Sequence, residues 1–122
     1  MEETAYALFR RGSAMLSEGM FQQAVDELTR ARDLEPGKGS IREALGRALF
    51  GTGRTDQARE EFEAAAALDP ANDYAHFGLA LCFERIGDLD LARGHAKMAV
   101  VMRPEVDAYR EALDRINARS RP

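Results

Sequence analysis

The chain has 122 residues, with 17 Lys and Arg against 21 Asp and Glu, a net charge of −4 and one cysteine. That length suits one domain or a short repeat array, and an apolar share of 45% is too high for a disordered chain. The acidic balance argues against nucleic acid, which needs clustered cations, and one cysteine cannot close an internal disulfide or a thiolate metal cage.

The chain opens on Met1-Glu2-Glu3-Thr4, acidic where a secretory signal is basic, so a cytoplasmic location is expected. No apolar run approaches the roughly 20 residues of a membrane-spanning helix. Ala, Leu, Glu and Arg dominate while Val, Ile and Thr are scarce, which predicts helices and no sheet. Helices are predicted over residues 3–18, 21–34, 39–51, 55–68, 73–86, 89–102 and 106–118. The breaks fall at Glu18-Gly19, Gly51-Thr52-Gly53 and Gly87-Asp88, and at Pro36, Pro70 and Pro104. Glycine accepts the left-handed backbone that ends a helix, and proline cannot continue the interior hydrogen-bond ladder. Thr55 and Asp88 are the predicted N-caps.

Pro36, Pro70 and Pro104 are spaced by 34 residues, which divides the chain without gaps into Ala5–Lys38, Gly39–Asn72 and Asp73–Val106. Residue types then fall into columns: small at Gly12, Gly46 and Ala80; large and apolar at Met15, Leu49 and Phe83; Ala24, Ala58 and Ala92; apolar at Leu28, Phe62 and Ala96; Ala31, Ala65 and Ala99; and apolar at Leu34, Leu68 and Met102. Each segment reads as two helices. In the first, Leu8, Gly12 and Met15 share a face by helical spacing. Gly12 is expected to meet Ala24 and Ala31 of its partner helix, with Leu28 and Leu34 filling the space around them. One such hairpin cannot bury its apolar surface alone, so stacked hairpins forming a solenoid are predicted.

These columns resemble the tetratricopeptide repeat family. Leu45-Gly46, Leu49, Ala58, Phe62, Ala65 and Pro70 carry the likeness in the second segment, and Leu79-Ala80, Phe83, Ala92, Ala99 and Pro104 in the third. The resemblance implies an all-α, right-handed superhelical solenoid of three helix–turn–helix repeats with a C-terminal capping helix, forming one domain over residues 1–122. Arg42 and His76 depart from the family's usual Trp. Arg11 departs from its usual Leu, which predicts a looser first repeat. Residues 107–119 continue the register as a capping helix. Tyr109, Ala112, Leu113 and Ile116 would cover the third repeat, and Arg110, Asp114 and Asn117 would leave a solvated outer face. Ser120-Arg121-Pro122 is expected to fray.

Catalytic constellations are not apparent. His76 and His95 lie 19 residues apart on different predicted helices and read as structural or solvated. Cys82 reads as a small buried residue packed against Ile116. Gly51-Thr52-Gly53-Arg54-Thr55 lacks the Lys-Ser/Thr and the preceding strand of a phosphate loop. No cofactor, metal or enzymatic activity is expected.

One feature carries a functional expectation. Tyr6, Phe9 and Leu16 share the face opposite Leu8, Gly12 and Met15. Tyr74, Phe77 and Leu81 lie opposite His76, Ala80 and Phe83, and Phe50 occupies the equivalent face of the middle repeat, beside Arg47. The family resemblance implies that first helices line a concave side that holds partner segments. These residues, with Arg10, Arg47 and Arg85, are therefore the expected groove for a protein or peptide partner. Two readings compete with it: burial of the rings between neighbouring first helices, and self-association into a homo-oligomer through the same stripe. A small-molecule or enzymatic role ranks last. Some family members clamp chaperone C-terminal tails with Lys, Asn and Arg. The matching positions here are Phe9, Ser13, Ala44, Tyr74 and Gly78, so no such clamp is expected. Glu43 and Glu84 are expected to interrupt the groove.

Overall fold

The computed structural model describes residues 3–121; Met1 and Glu2 of the acidic start, and Pro122 of the expected frayed end, lie outside the described residues. Seven helices follow one another: α1 (Ala5–Ser17), α2 (Phe21–Leu34), α3 (Gly39–Gly51), α4 (Thr55–Leu68), α5 (Asp73–Ile86), α6 (Leu89–Met102) and α7 (Asp107–Arg119). Among the described residues there is no strand. The five internal helices begin and end where the sequence places them. Helix α1 starts two residues later than predicted, because Thr4 caps it by accepting from the Ala7 amide at 3.0 Å. Asp88 caps α6 as expected, accepting from the Leu91 amide. Thr55 does not cap α4. The Arg54 amide closes the preceding turn on the Leu49 carbonyl, so the helix starts at Thr55 itself. Ser120 is less free than expected, since its hydroxyl and amide both donate to the Ile116 carbonyl.

The three hairpins close alike. Gly19, Gly53 and Gly87, spaced by 34 residues, adopt φ of 75°, 84° and 90°. The following residues, Met20, Arg54 and Asp88, donate back to the carbonyls of Met15, Leu49 and Phe83. This is the Schellman closure, and a side chain at its left-handed position would be strained.

Helix α1 packs on α2, α3 on α4 and α5 on α6; the hairpins stack through α2 on α3, α4 on α5 and α6 on α7. The first helices α1, α3, α5 and α7 also meet in sequence, so they form one wall of the stack. Its centre is Phe62 of α4, 2% exposed. A Cβ on Gly46 of α3 would lie 2.9 Å from Phe62 Cε1, and one on Gly78 of α5 only 2.5 Å from the same atom. The ring is therefore wedged between two backbones, in its own repeat and in the next. In the first repeat Gly12 accommodates Leu28, whose Cγ would lie 2.6 Å from an added Cβ, rather than Ala24 or Ala31. Leu34 does not fill that contact: it is 56% exposed beyond the last turn of α2. Met15 is only half-buried, and Leu16 replaces it in the core at 8% exposure.

The departures from the usual Trp have a physical reason. Arg42 Nε donates to the Pro36 carbonyl at 3.0 Å, and His76 Nε2 lies 3.3 Å from the Pro70 carbonyl. Arg110, one repeat further on, donates to the Pro104 carbonyl. In each case the polar side chain closes the loop that precedes its own helix. Arg42 also joins Arg32 on the buried carboxylate of Glu61, at 3.1 and 2.8 Å, and so ties α2, α3 and α4 together. Arg11 reaches Glu3 at 2.7 Å and Glu27 at 2.8 Å. The first repeat thus uses an exposed ion-pair cluster at Arg11, where Leu was expected from the resemblance. Tyr109, Ala112 and Ile116 of α7 are buried against the third repeat, as expected of a cap.

Candidate functional site

The wall of first helices carries two adjoining hollows. One, of about 350 Å³, is lined by Leu16 and Ser17 of α1, Phe21 of α2, Arg47, Phe50 and Gly51 of α3, Phe62 of α4, and Tyr74 and Leu81 of α5. The other, of about 330 Å³, is lined by Phe50, Leu81, Glu84 and Arg85 with Arg115 and Arg119 of α7. Phe50 and Leu81 line both, so the two hollows adjoin along the wall of first helices from α1 to α7, here called the trough.

Cations sit over the rings of this wall. The Arg85 guanidinium carbon lies 3.5 Å above the Phe50 ring centroid, and that of Arg47 lies 4.8 Å above Tyr74. Arg85 is further fixed by donating from Nη1 to the Phe50 carbonyl at 3.1 Å and to the Thr55 hydroxyl at 3.3 Å. Glu84 does not project into the trough as an obstacle. It is buried, and Arg115 grips both its oxygens at 2.7 Å while Arg119 approaches at 3.4 Å. The Arg115 hydrogen bonds hold its carboxyl below the usual carboxylate range, against the opposing effect of burial. Glu43 is half-buried, and burial pushes its carboxyl up, with Asn72 and the Arg47 charge pulling the other way.

The expected groove residues do not all meet. Leu16, Arg47, Phe50, Tyr74, Leu81 and Arg85 line the trough. Tyr6 is 69% exposed and Arg10 lies 5.9 Å from its ring, away from both hollows. Phe9 packs against the small cluster that includes Ala5, Leu8 and Ile41. Phe77 packs between Tyr74 and Tyr109, at centroid distances of 5.5 and 4.8 Å. Burial between neighbouring first helices therefore accounts for Phe9 and Phe77, while the middle of the stripe stays open. Sequence reasoning missed Phe21, Phe62, Arg115 and Arg119. The arginines were within reach: the 34-residue step carries Arg47 through Leu81 to Arg115, and Arg85 to Arg119.

The two histidines, distant in sequence, face each other. Their Nδ1 atoms are 3.2 Å apart and the rings stack at a centroid distance of 5.4 Å, and Phe83 also stacks on His95 at 5.7 Å. The Pro70 carbonyl can only accept, so His76 Nε2–H donates to it, and the two Nδ1 atoms share one hydrogen bond. Burial, then His76, pushes the His95 pKa down, and Glu63 opposes this. Cys82 is fully buried and burial pushes its thiol up to about 12.

A stack of helical hairpins with an open wall of first helices defines a helical-repeat solenoid. Residues 43–107 and 15–65 match two family models described as tetratricopeptide repeat. The chain belongs to the tetratricopeptide repeat family, with three repeats and a capping helix. No curated protein matches it. It is similar to the TPR domain of OM64 from Arabidopsis, at 18% identity and a TM-score of 0.91, covering 95% of this chain and 96% of that one. It is also similar to the first TPR of Spaghetti (RPAP3), solved bound to an HSP90 peptide, at 18% identity and a TM-score of 0.89, covering 95% and 92%. MamA from Desulfovibrio magneticus RS-1 is 25% identical, with a TM-score of 0.86 over 94% of this chain and 65% of that one. No described helix is long and apolar enough to cross a membrane.

Proposed function

We propose that this chain is an adaptor that holds a segment of a partner protein in the trough, by equilibrium binding and without chemistry. The observation that carries this reading is the pair of adjoining hollows that share Phe50 and Leu81 and are lined by aromatic and aliphatic side chains along the first helices. Rigid rings offer large contact area at low entropic cost. The bound HSP90 peptide of the Spaghetti (RPAP3) domain supports peptide capture as the general mode. The tail clamp is not part of the proposal. Ala44 and Gly78 are buried and uncharged, and Phe9 and Tyr74 bring no cation, so those positions offer no clamp.

The test is affinity capture from native lysate with the wild type and with Phe50→Ala/Leu81→Ala side by side. Proteins retained by the wild type and lost from the variant, at unchanged helicity by circular dichroism, support the reading. An identical captured set refutes it. Light scattering over a dilution series reads the rival: a dimer that the same two substitutions dissolve assigns the trough to self-contact.

A further inference from the structure

We infer that the trough takes an extended acidic segment carrying one bulky apolar side chain, with the apolar group seated among Leu16, Phe50 and Leu81 and flanking carboxylates on the outer edges of Arg47 and Arg85. This rests on the adaptor reading and adds the chemistry of the partner.

Charge complementarity is the basis. The two hollows are lined by Arg47, Arg85, Arg115 and Arg119 against the single carboxylate of Glu84, whereas the chain as a whole has four more acidic than basic side chains. The trough is thus a basic strip on an acidic protein, which steers acidic segments and repels basic ones. Among the described residues Arg47 and Arg85, like Arg10 and Arg54, have no ion pair, whereas Arg32, Arg42, Arg93 and Arg115 each hold a carboxylate. Both guanidiniums lie over aromatic rings, and although Arg85 Nη1 donates to the Phe50 carbonyl and the Thr55 hydroxyl, neither guanidinium edge meets a carboxylate. A carboxylate meets such an edge with two parallel hydrogen bonds and little further ordering cost. Glu84 already shows that geometry inside the protein, gripped through both oxygens by Arg115. The cations stand in the second half of α3, α5 and α7, and none of them occupies one of the clamp positions. Internal Glu or Asp side chains therefore suffice, and no free C-terminus is required.

The test uses short fluorescent peptides blocked at both ends, with a central Leu flanked by Glu, and matched peptides bearing Gln or Lys in place of Glu. Fluorescence anisotropy with the full chain is expected to show binding of the Glu peptide only. Binding should weaken as salt rises and fall about tenfold in Arg47→Gln, the loss of one charge-assisted pair. Arg85→Gln is a second variant, and Arg47→Lys should restore less than half of the lost affinity because the bidentate edge is gone. Equal binding of the Gln peptide, abolished by Leu81→Glu, overturns the acidic partner and leaves the adaptor reading standing. Binding of the Glu peptide that Leu81→Glu leaves intact overturns both, as does no binding of any peptide. Tighter binding of a single-stranded oligonucleotide than of the Glu peptide assigns the strip to phosphates and overturns the inference.

Discussion

Gly78→Ala is the sharpest probe of the packing beneath the trough. In an ordinary helix the change stabilises by about 1 kcal/mol, because alanine loses less backbone freedom. Here the new methyl would lie 2.5 Å from Phe62 Cε1, and the ring cannot retreat, since Gly46 stands behind it with an added Cβ only 2.9 Å away. Overpacking of that kind costs about 2–3 kcal/mol. The net expectation is a loss of about 1–2 kcal/mol, or roughly 4–8 °C in melting temperature. In a Phe62→Leu background the clash is absent and the same substitution should be neutral or stabilising. Urea unfolding followed by circular dichroism on the four proteins of this double-mutant cycle measures the coupling. A Gly78→Ala effect of the same sign and size in both backgrounds would refute the wedged-ring account.

Three further outcomes are expected. Stability should fall as pH drops below about 6.5: the His95 pKa is depressed in the folded state, so the unfolded chain binds more protons there, and thermal melts of His95→Gln should lose part of that acid slope. Glu61→Ala should cost about 2 kcal/mol in urea unfolding, because it leaves the Arg32 and Arg42 guanidiniums facing each other without their shared carboxylate; a cost near zero would show the triad to be dispensable. Cys82 should resist Ellman's reagent in the native protein and react on unfolding, since its buried thiol is pushed up to about 12; fast native labelling would show that α7 opens readily.

The hairpins were legible because their determinants are local. Pro36, Pro70 and Pro104 end one helix and space the next, and Gly19, Gly53 and Gly87 each satisfy a turn within five residues of chain. The trough was only half legible. Periodicity places Phe50, Tyr74 and Leu81 on one face, but it does not say that Phe77 is claimed by Tyr109 or that Phe62 reaches through from α4. Those facts depend on which glycine in the neighbouring helix leaves room. Glu84 and the histidine pair show the same limit. A carboxylate in a groove column reads as an obstacle until α7 supplies its two arginines, and two distant histidines read as unrelated until α5 and α6 pair.

The capping helix has a double duty. Its buried face seals the last repeat, and its Arg115 and Arg119 supply half of the cations that line the trough. The smallest portable unit of this architecture is therefore three and a half repeats. Grafting the three hairpins without α7 onto another scaffold would strip the binding channel of one bank, and would leave Glu84 as a bare buried anion where the ligand is meant to lie.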